Sequence, residues 1–266
     1  MLAAAVLLLL LLAVAIAMLA ARRRRHYAAI AAQQRRTLAL AQPVGLGSAA
    51  AAPAAFAEVP LVTRPDVLDA ATFAAVLAEV ERLVAAERSY LPAHKKGGTV
   101  AYETLCARAP TVLALYLGEP LRELVSRLVG VPVQPTPLHD QSSLSVLFYD
   151  RPGDHIGWHY DHNFYRGRHF TLLIPLVNRG AGADGLSAAR LVARLGDAER
   201  QIATPPNSLV LFEGARVLHR VTPIGEGERR IVLSMTWCTD PANAWWQGLA
   251  RRIKDIGFYG IRALWT

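Results

Sequence analysis

Three kinds of apolar pattern succeed one another along the chain. Met1 to Ala21 reads MLAAAVLLLLLLAVAIAMLAA, without a single charged side chain. At about 1.5 Å per residue, such a helix reaches about 30 Å, the thickness of a bilayer's hydrocarbon core. Further on, Phe73, Val76, Leu77, Val80, Leu83 and Val84 recur at i, i+3, i+4 spacing, which predicts a helix that Asp69 can cap. Leu121, Leu124, Val125, Leu128 and Val129 form a second stripe, closed by Gly130 and Pro132. After that the helical period is lost. Short runs rich in branched residues follow, at Leu144–Tyr149, Phe170–Val177, Arg190–Arg194, Ser208–Phe212, Val217–Val221 and Arg229–Trp237. Turn residues separate them, as in Arg151-Pro152-Gly153-Asp154 and Gly225-Glu226-Gly227. Many short strands at this spacing predict an antiparallel sandwich or jelly roll. A closing segment from Ala242 to about Ile256 reads as a helix.

Charge changes the picture at the N-terminal end. A secretory signal carries its positive charge before the apolar run, whereas Arg22-Arg23-Arg24-Arg25 follow it here, with no convincing small-x-small cleavage site. A retained single-pass anchor fits this better than a cleaved signal. The positive-inside rule then puts the arginine side, and the body behind it, in the cytoplasm. Residues 31–60 are Ala-rich with scattered Pro and Gly and read as a tether with little core of its own. The expected organisation is therefore a transmembrane anchor at 1–21, a basic then Ala/Pro-rich tether at 22–60, and a folded domain at 61–266.

The formal charge is +8, but six arginines against one acid before residue 60 account for +5 of it. The folded body is left with +3, too little for a nucleic-acid footprint spread over it. An apolar content of 53% excludes disorder for most of the chain. Cys106 and Cys238 stand far apart with no CxxC, which excludes a disulfide scaffold or a cysteine-based zinc module and suits a reducing compartment. Gly45-Leu46-Gly47-Ser48-Ala49-Ala50 has only a superficial likeness to a dinucleotide loop, and neither a P-loop nor a nucleophile elbow occurs.

Candidate chemistry gathers in the strand region. His159-Tyr160-Asp161 is the one place where a histidine has an acid two residues on. In a strand, i and i+2 point to the same side, so the imidazole and the carboxylate can grip one ion. That spacing alone is weak evidence. His219 lies in a second strand, Val217–Val221, and Arg229 opens the apolar strand that runs to Trp237. A base among alternating apolar positions is costly to bury unless an anion meets it. Two imidazoles and one carboxylate leave coordination positions open, which suits non-haem Fe(II), and a guanidinium offers a planar fork for a carboxylate.

At these residues the chain resembles the Fe(II)/2-oxoglutarate dioxygenases, in particular their prolyl-hydroxylase-like branch. Leu147 to Asp161 looks like the branch's strand, glycine turn and HxD. Asn207 to Pro223 looks like its distal-histidine block, and Gly227-Glu228-Arg229 like its GxR. The resemblance spans about Leu144 to Trp237, with a helical prelude from Asp66. It implies a mainly β, double-stranded β-helix (jelly-roll) fold with flanking α-helices. His159, Asp161 and His219 would then hold Fe(II), Arg229 would pair the far carboxylate of 2-oxoglutarate, and Tyr149 would sit near that cosubstrate. The implied reaction consumes O2, releases succinate and CO2, and hydroxylates an unactivated C–H of a peptidyl (prolyl included) or small-molecule substrate, with ascorbate as an optional reductant. The halogenating variant, which has a small residue at the carboxylate position, is disfavoured by Asp161. Leu176-Val177-Asn178 departs from relatives that carry a tyrosine there, and Arg230 beside Arg229 leaves a one-residue ambiguity, resolved for Arg229 by GxR spacing and strand parity, with Arg230 outward.

Other readings stay beside this one. A membrane-tethered, cupin-like binding module without catalysis would share the fold, and a zinc hydrolase would share the ligands. His155 and His162 flank the proposed ligands as solvated or supporting groups, and Lys95-Lys96-Gly97-Gly98 reads as a solvated turn or a lid. Trp245-Trp246 with Arg251, Arg252 and Lys254 makes an amphipathic basic helix that either packs on the core or touches lipid.

Overall fold

Alternation along the strands builds two facing antiparallel sheets. The computed structural model describes residues 2–48, 56, 59–85, 95–138, 140–243 and 245–259. One sheet holds β1 (Leu61–Arg64), β3 (Gly98–Val100), β4 (Gln134–Pro135), β5 (Leu144–Tyr149), β7 (His169–Arg179), β10 (Leu209–Glu213) and β12 (Arg229–Cys238). Its order is β1-β10-β7-β12-β5-β3, with β4 on the far end of β12. The other runs β2-β6-β11-β8-β9, from β2 (Lys95–Lys96), β6 (His155–His159), β8 (Leu191–Leu195), β9 (Ala198–Ile202) and β11 (Leu218–Val221). From β5 to β12 consecutive strands alternate between the sheets, apart from the β8–β9 hairpin, which is the jelly-roll arrangement expected from the strand spacing. The short β1 to β4 and the polar β9 lacked a readable alternation and went unforeseen.

The central strand β12 divides the interior. Ile231, Leu233, Met235 and Trp237 face one way and join a core with Val76 and Val80 of α2 (Ala70–Val84). Leu105 of α3 (Tyr102–Arg108), Val112 of α4 (Pro110–Leu117) and Leu124 of α5 (Glu119–Val129) complete that core. Arg230, Val232, Ser234 and Thr236 face the space between the sheets. The end signals of the two foreseen helices hold: Asp69 accepts from the Thr72 amide at 2.7 Å, and Gly130 closes α5 at φ +75°, a conformation that suits glycine.

Two stretches differ from the sequence reading. The helix α1 (Leu2–Leu38) does not stop at the arginines: it runs on through them, so residues 22–38 are helical where a tether was expected. Its second half docks on the body, where Ile30 and Thr37 are buried, His26 meets Glu103 at 2.8 Å and the Tyr102 hydroxyl donates to Gln34 at 3.0 Å. Beyond it, Gly47 donates to the Val67 carbonyl and Asp69 to that of Gly45. Small residues there let two backbones touch, which composition alone reads as a linker. Tether residues 49–55, 57 and 58 lie outside the described residues. Second, Lys95 to Gly98 is a sheet-to-sheet corner: β2 pairs with β6 and β3 with β5, with Gly97 at φ +135° between them. The Lys95 side chain is buried.

Candidate active site

The three residues foreseen as ligands meet at the mouth of the inner space. His159 ends β6 and lies opposite His219 of β11 across the ladder, their rings 4.1 Å apart between centroids. Asp161 follows two residues after the strand, and its amide donates to the Gly214 carbonyl at 3.1 Å. The His159 Nε2 lies 3.6 Å and the His219 Nε2 3.8 Å from Asp161 Oδ1. One ligand atom from each residue falls within 4.8 Å of the others, as a metal ion's donors do. Each imidazole also donates Nδ1–H to a backbone carbonyl two residues back, Gly157 at 2.9 Å and Val217 at 3.0 Å. That bond sets the tautomer and leaves the Nε2 lone pair facing the centre.

The surroundings of Asp161 favour its charged form. Burial on its own raises its carboxyl, but His219, His159 and a hydrogen bond from Thr171 together outweigh burial and hold it below the usual carboxylate range. Thr171 donates to Oδ2 at 2.6 Å, which leaves Oδ1 turned to the imidazoles. Gly214 completes the cradle: a Cβ there would come within 2.5 Å of the Asp161 Cβ. Neither Thr171 nor Gly214 stood out in the sequence, where one is a strand threonine and the other an ordinary turn glycine.

A cavity of about 220 Å³ extends from these groups between the sheets. Register orders its wall on the larger sheet. Thr236, Thr171 and Phe212 share the row nearest the triad, Ser145 and Ser234 come next, then Leu147 and Val232, and Tyr149 and Arg230 lie furthest along. Ile156, Leu191 and Val221 of the smaller sheet close the apolar middle. The cavity is thus a metal-type donor set at one end, an apolar sleeve, and a cation at the other.

That cation corrects the sequence reading. Arg229 faces the other way and grips Glu81 of α2 through both terminal nitrogens, at 2.7 and 2.5 Å. Arg230 turns inward and is 1% exposed, with Nε and Nη2 buried and without a hydrogen-bond partner among the described residues. Its guanidinium carbon lies 5.3 Å from the centroid of the Tyr149 ring. Tyr149 is fully buried beside Arg230, and burial outweighs that charge and pushes its phenol up to about 12, so it stays a protonated donor. The GxR spacing suggested Arg229, but the large apolar residues at 231, 233, 235 and 237 put that parity against the helices. A buried, unsatisfied guanidinium costs several kcal/mol unless an anion meets it. Arg230, Tyr149 and the metal-type triad therefore fit an anionic ligand that spans the sleeve.

Of the flanking groups, His162 and Lys95 also line the cavity. Lys95 Nζ donates to Thr99, and His155 donates Nδ1–H to the Gly153 carbonyl at 2.8 Å. The mouth is braced by Tyr165, whose hydroxyl donates to the buried Asp140 at 2.6 Å.

Comparison with known proteins agrees with this geometry. A family model described as Halogenase D matches residues 47–184, a stretch that includes Tyr149, His159 and Asp161 and ends before His219 and Arg230. No curated protein matches in sequence. Among solved structures, a Pseudomonas putida prolyl-4-hydroxylase is 20% identical over 69% of this chain and 94% of its own, with a TM-score of 0.53. The α-ketoglutarate-dependent epimerase SnoN from nogalamycin biosynthesis is 19% identical over 69% of this chain and 77% of its own, at 0.56. A prolyl hydroxylase from Trichoplax adhaerens, in complex with a hypoxia inducible factor peptide fragment, is 18% identical over 70% and 86%, at 0.53. These likenesses establish the fold as that of the 2-oxoglutarate/Fe(II) oxygenases.

Proposed function

The chain belongs to the Halogenase D family, and on that premise we propose that it is an Fe(II)- and 2-oxoglutarate-dependent dioxygenase that hydroxylates an unactivated C–H of a small-molecule or peptidyl substrate. The observation that carries this reading is the pairing, in one cavity, of the His159–Asp161–His219 donor set with the buried, unsatisfied Arg230.

In this reading His159 and His219 offer neutral Nε2 atoms and Asp161 one carboxylate oxygen to Fe(II). When bound, the iron and its 2-oxo acid supply the activation of O2, with succinate and CO2 released and one oxygen atom delivered to the substrate. Thr171 holds the second oxygen of Asp161 and keeps the first on the metal side. Arg230, with the Tyr149 hydroxyl, receives the far carboxylate of 2-oxoglutarate in place of the foreseen Arg229. Leu147, Val232, Ile156 and Val221 exclude water along the two methylenes between.

The family's description favours a second reading, halogenation. Asp161 opposes it, because a carboxylate there would itself serve as a ligand where the halogenating variant has a small residue to admit halide. We assign α1 the role of a single-pass membrane anchor, with the oxygenase body on the cytoplasmic side of Arg22–Arg25.

Anaerobic addition of 2-oxoglutarate to the Fe(II)-loaded protein is expected to raise the weak visible band of a metal–keto acid chelate. Its absence with iron bound would overturn the proposal in favour of a zinc hydrolase or a non-catalytic binding module. In the same titration Arg230→Ala is expected to weaken 2-oxoglutarate binding about 30- to 1,000-fold, the equivalent of ~2–4 kcal/mol for a buried charge pair. Arg229→Ala, which removes a half-exposed ion pair to Glu81, is expected to change it less than about threefold.

A further inference from the structure

The helix α6 (Trp245–Tyr259) carries an apolar stripe that the body leaves uncovered. Trp246, Leu249 and Ile253 recur at i, i+3 and i+7 and are 57%, 49% and 63% exposed. Soluble surfaces seldom line up three large apolar side chains on one face of a helix. The opposite side of the same helix is anchored inward. Arg251 is 1% exposed and lies within electrostatic reach of Tyr165, the residue that bonds Asp140 in the cavity wall. Just before the helix, the amides of Arg166 and Gly167 donate to the carbonyls of Ala242 and Asp240. The segment that follows the His159–Asp161 pair is thereby stapled to the start of α6.

What covers the stripe is indicated by its neighbour. Arg251 and Arg252 of α6 lie within electrostatic reach of Arg23 of α1, so the basic residues of the two helices share one region of the surface. Arg22, Arg24 and Arg25 of that stretch are exposed, and from there toward the N-terminus the helix presents an exposed apolar surface of membrane-spanning length. We infer that α6 is a second membrane contact, with Trp246, Leu249 and Ile253 seated at the headgroup–acyl boundary of an anionic bilayer beside the point where α1 leaves it. An amphipathic helix with an apolar stripe and arginines nearby is the form that such interfacial contacts take. The cavity mouth, tied to α6 through Tyr165 and Asp140, then opens close to the membrane surface. This assignment depends on α1 entering the bilayer and is independent of the chemistry in the cavity.

The test uses the full chain in nanodiscs of phosphatidylcholine with phosphatidylglycerol. Ile253→Cys is labelled with a small fluorophore, and Asp197→Cys, in the exposed turn between β8 and β9, serves as the distal control. Cys106 and Cys238 are both buried and stay unlabelled in the native protein. A nitroxide carried at the lipid headgroup is expected to quench position 253 at least about threefold more than position 197, and aqueous iodide is expected to show the reverse order. Trp246→Gln/Leu249→Gln is expected to bring position 253 toward the iodide access of position 197 while Fe(II) binding is kept. Equal iodide access at both positions in the parent overturns the inference. So does protection of position 253 that persists in lipid-free detergent and grows with protein concentration, which would make the stripe an interface between two copies.

Discussion

Lys95 shows how one residue can carry a cost that its neighbours do not suggest. Its ammonium is buried in the cavity wall, and burial lowers it from 10.5 to about 8. Between those two values the unfolded chain binds a proton that the folded chain has released, so stability rises with pH across that window. Below pH 8 the full desolvation cost is present. Lys95→Met is therefore expected to stabilise the fold at pH 7 by roughly 1–3 kcal/mol, and to flatten the rise between pH 8 and 10.5. Urea melts of both proteins at several pH values in that range would check it; a parallel rise in the two would refute it. At this scale the residue types of the donor set were legible, although Asp161 lies past the end of β6 and is held by the Gly214 carbonyl rather than by strand alternation. The choice between Arg229 and Arg230 was legible too, because Ile231, Leu233, Met235 and Trp237 mark the buried face and leave Arg230 with Ser234 and Thr236. The reading went to Arg229 because the GxR spacing and a parity counted from the wrong face of the strand both favoured it.

Elements bring the donors together through backbone rather than side chains. β6 and β11 set His159 opposite His219, and the turn after β10 brings Gly214 against Asp161. Gly214→Ala would force that turn and the carboxylate apart, since the added Cβ has no room. The expected outcome is a loss of Fe(II) affinity of about 10- to 100-fold, the range seen when a group that orients a metal ligand is removed. Competition with a fluorescent metal chelator measures it, and an affinity within twofold of the parent would refute the cradle. Nothing in Glu213-Gly214-Ala215 signals this, because a glycine required by a contact far along the chain looks like any turn glycine. The bulge between β7 and β12 at Ile231/Val232 is equally silent in sequence, although Pro175 beside it cannot donate to the ladder. The helices α3 and α4 and the strands β1 to β4 were missed because each is too short to show a period.

The whole molecule packs a membrane-length helix directly against a jelly-roll body. At 37 residues α1 is about 55 Å long, and its second half is packed on α3 and α4. The protein is expected to stay in the membrane fraction through high salt and alkaline carbonate and to leave it only with detergent. Release by salt alone would mean that charge, not the apolar run, holds it there. Because the second half of α1 packs on α3 and α4, the body is expected to keep one orientation to the bilayer, the condition under which α6 meets the surface.

Sequence alone determined what depends on residue type and local period: a run long enough to span a bilayer, strands by their alternation, helix ends at Asp69 and Gly130, and the choice of His159, Asp161 and His219 as candidate ligands. Tertiary structure decided which arginine faces the cavity, how far α1 continues, where Lys95 lies and why Gly214 has no side chain. Each of these is settled by what packs against the residue from a distant part of the chain, and a one-dimensional pattern records the face a residue shares but not the neighbour that face will meet.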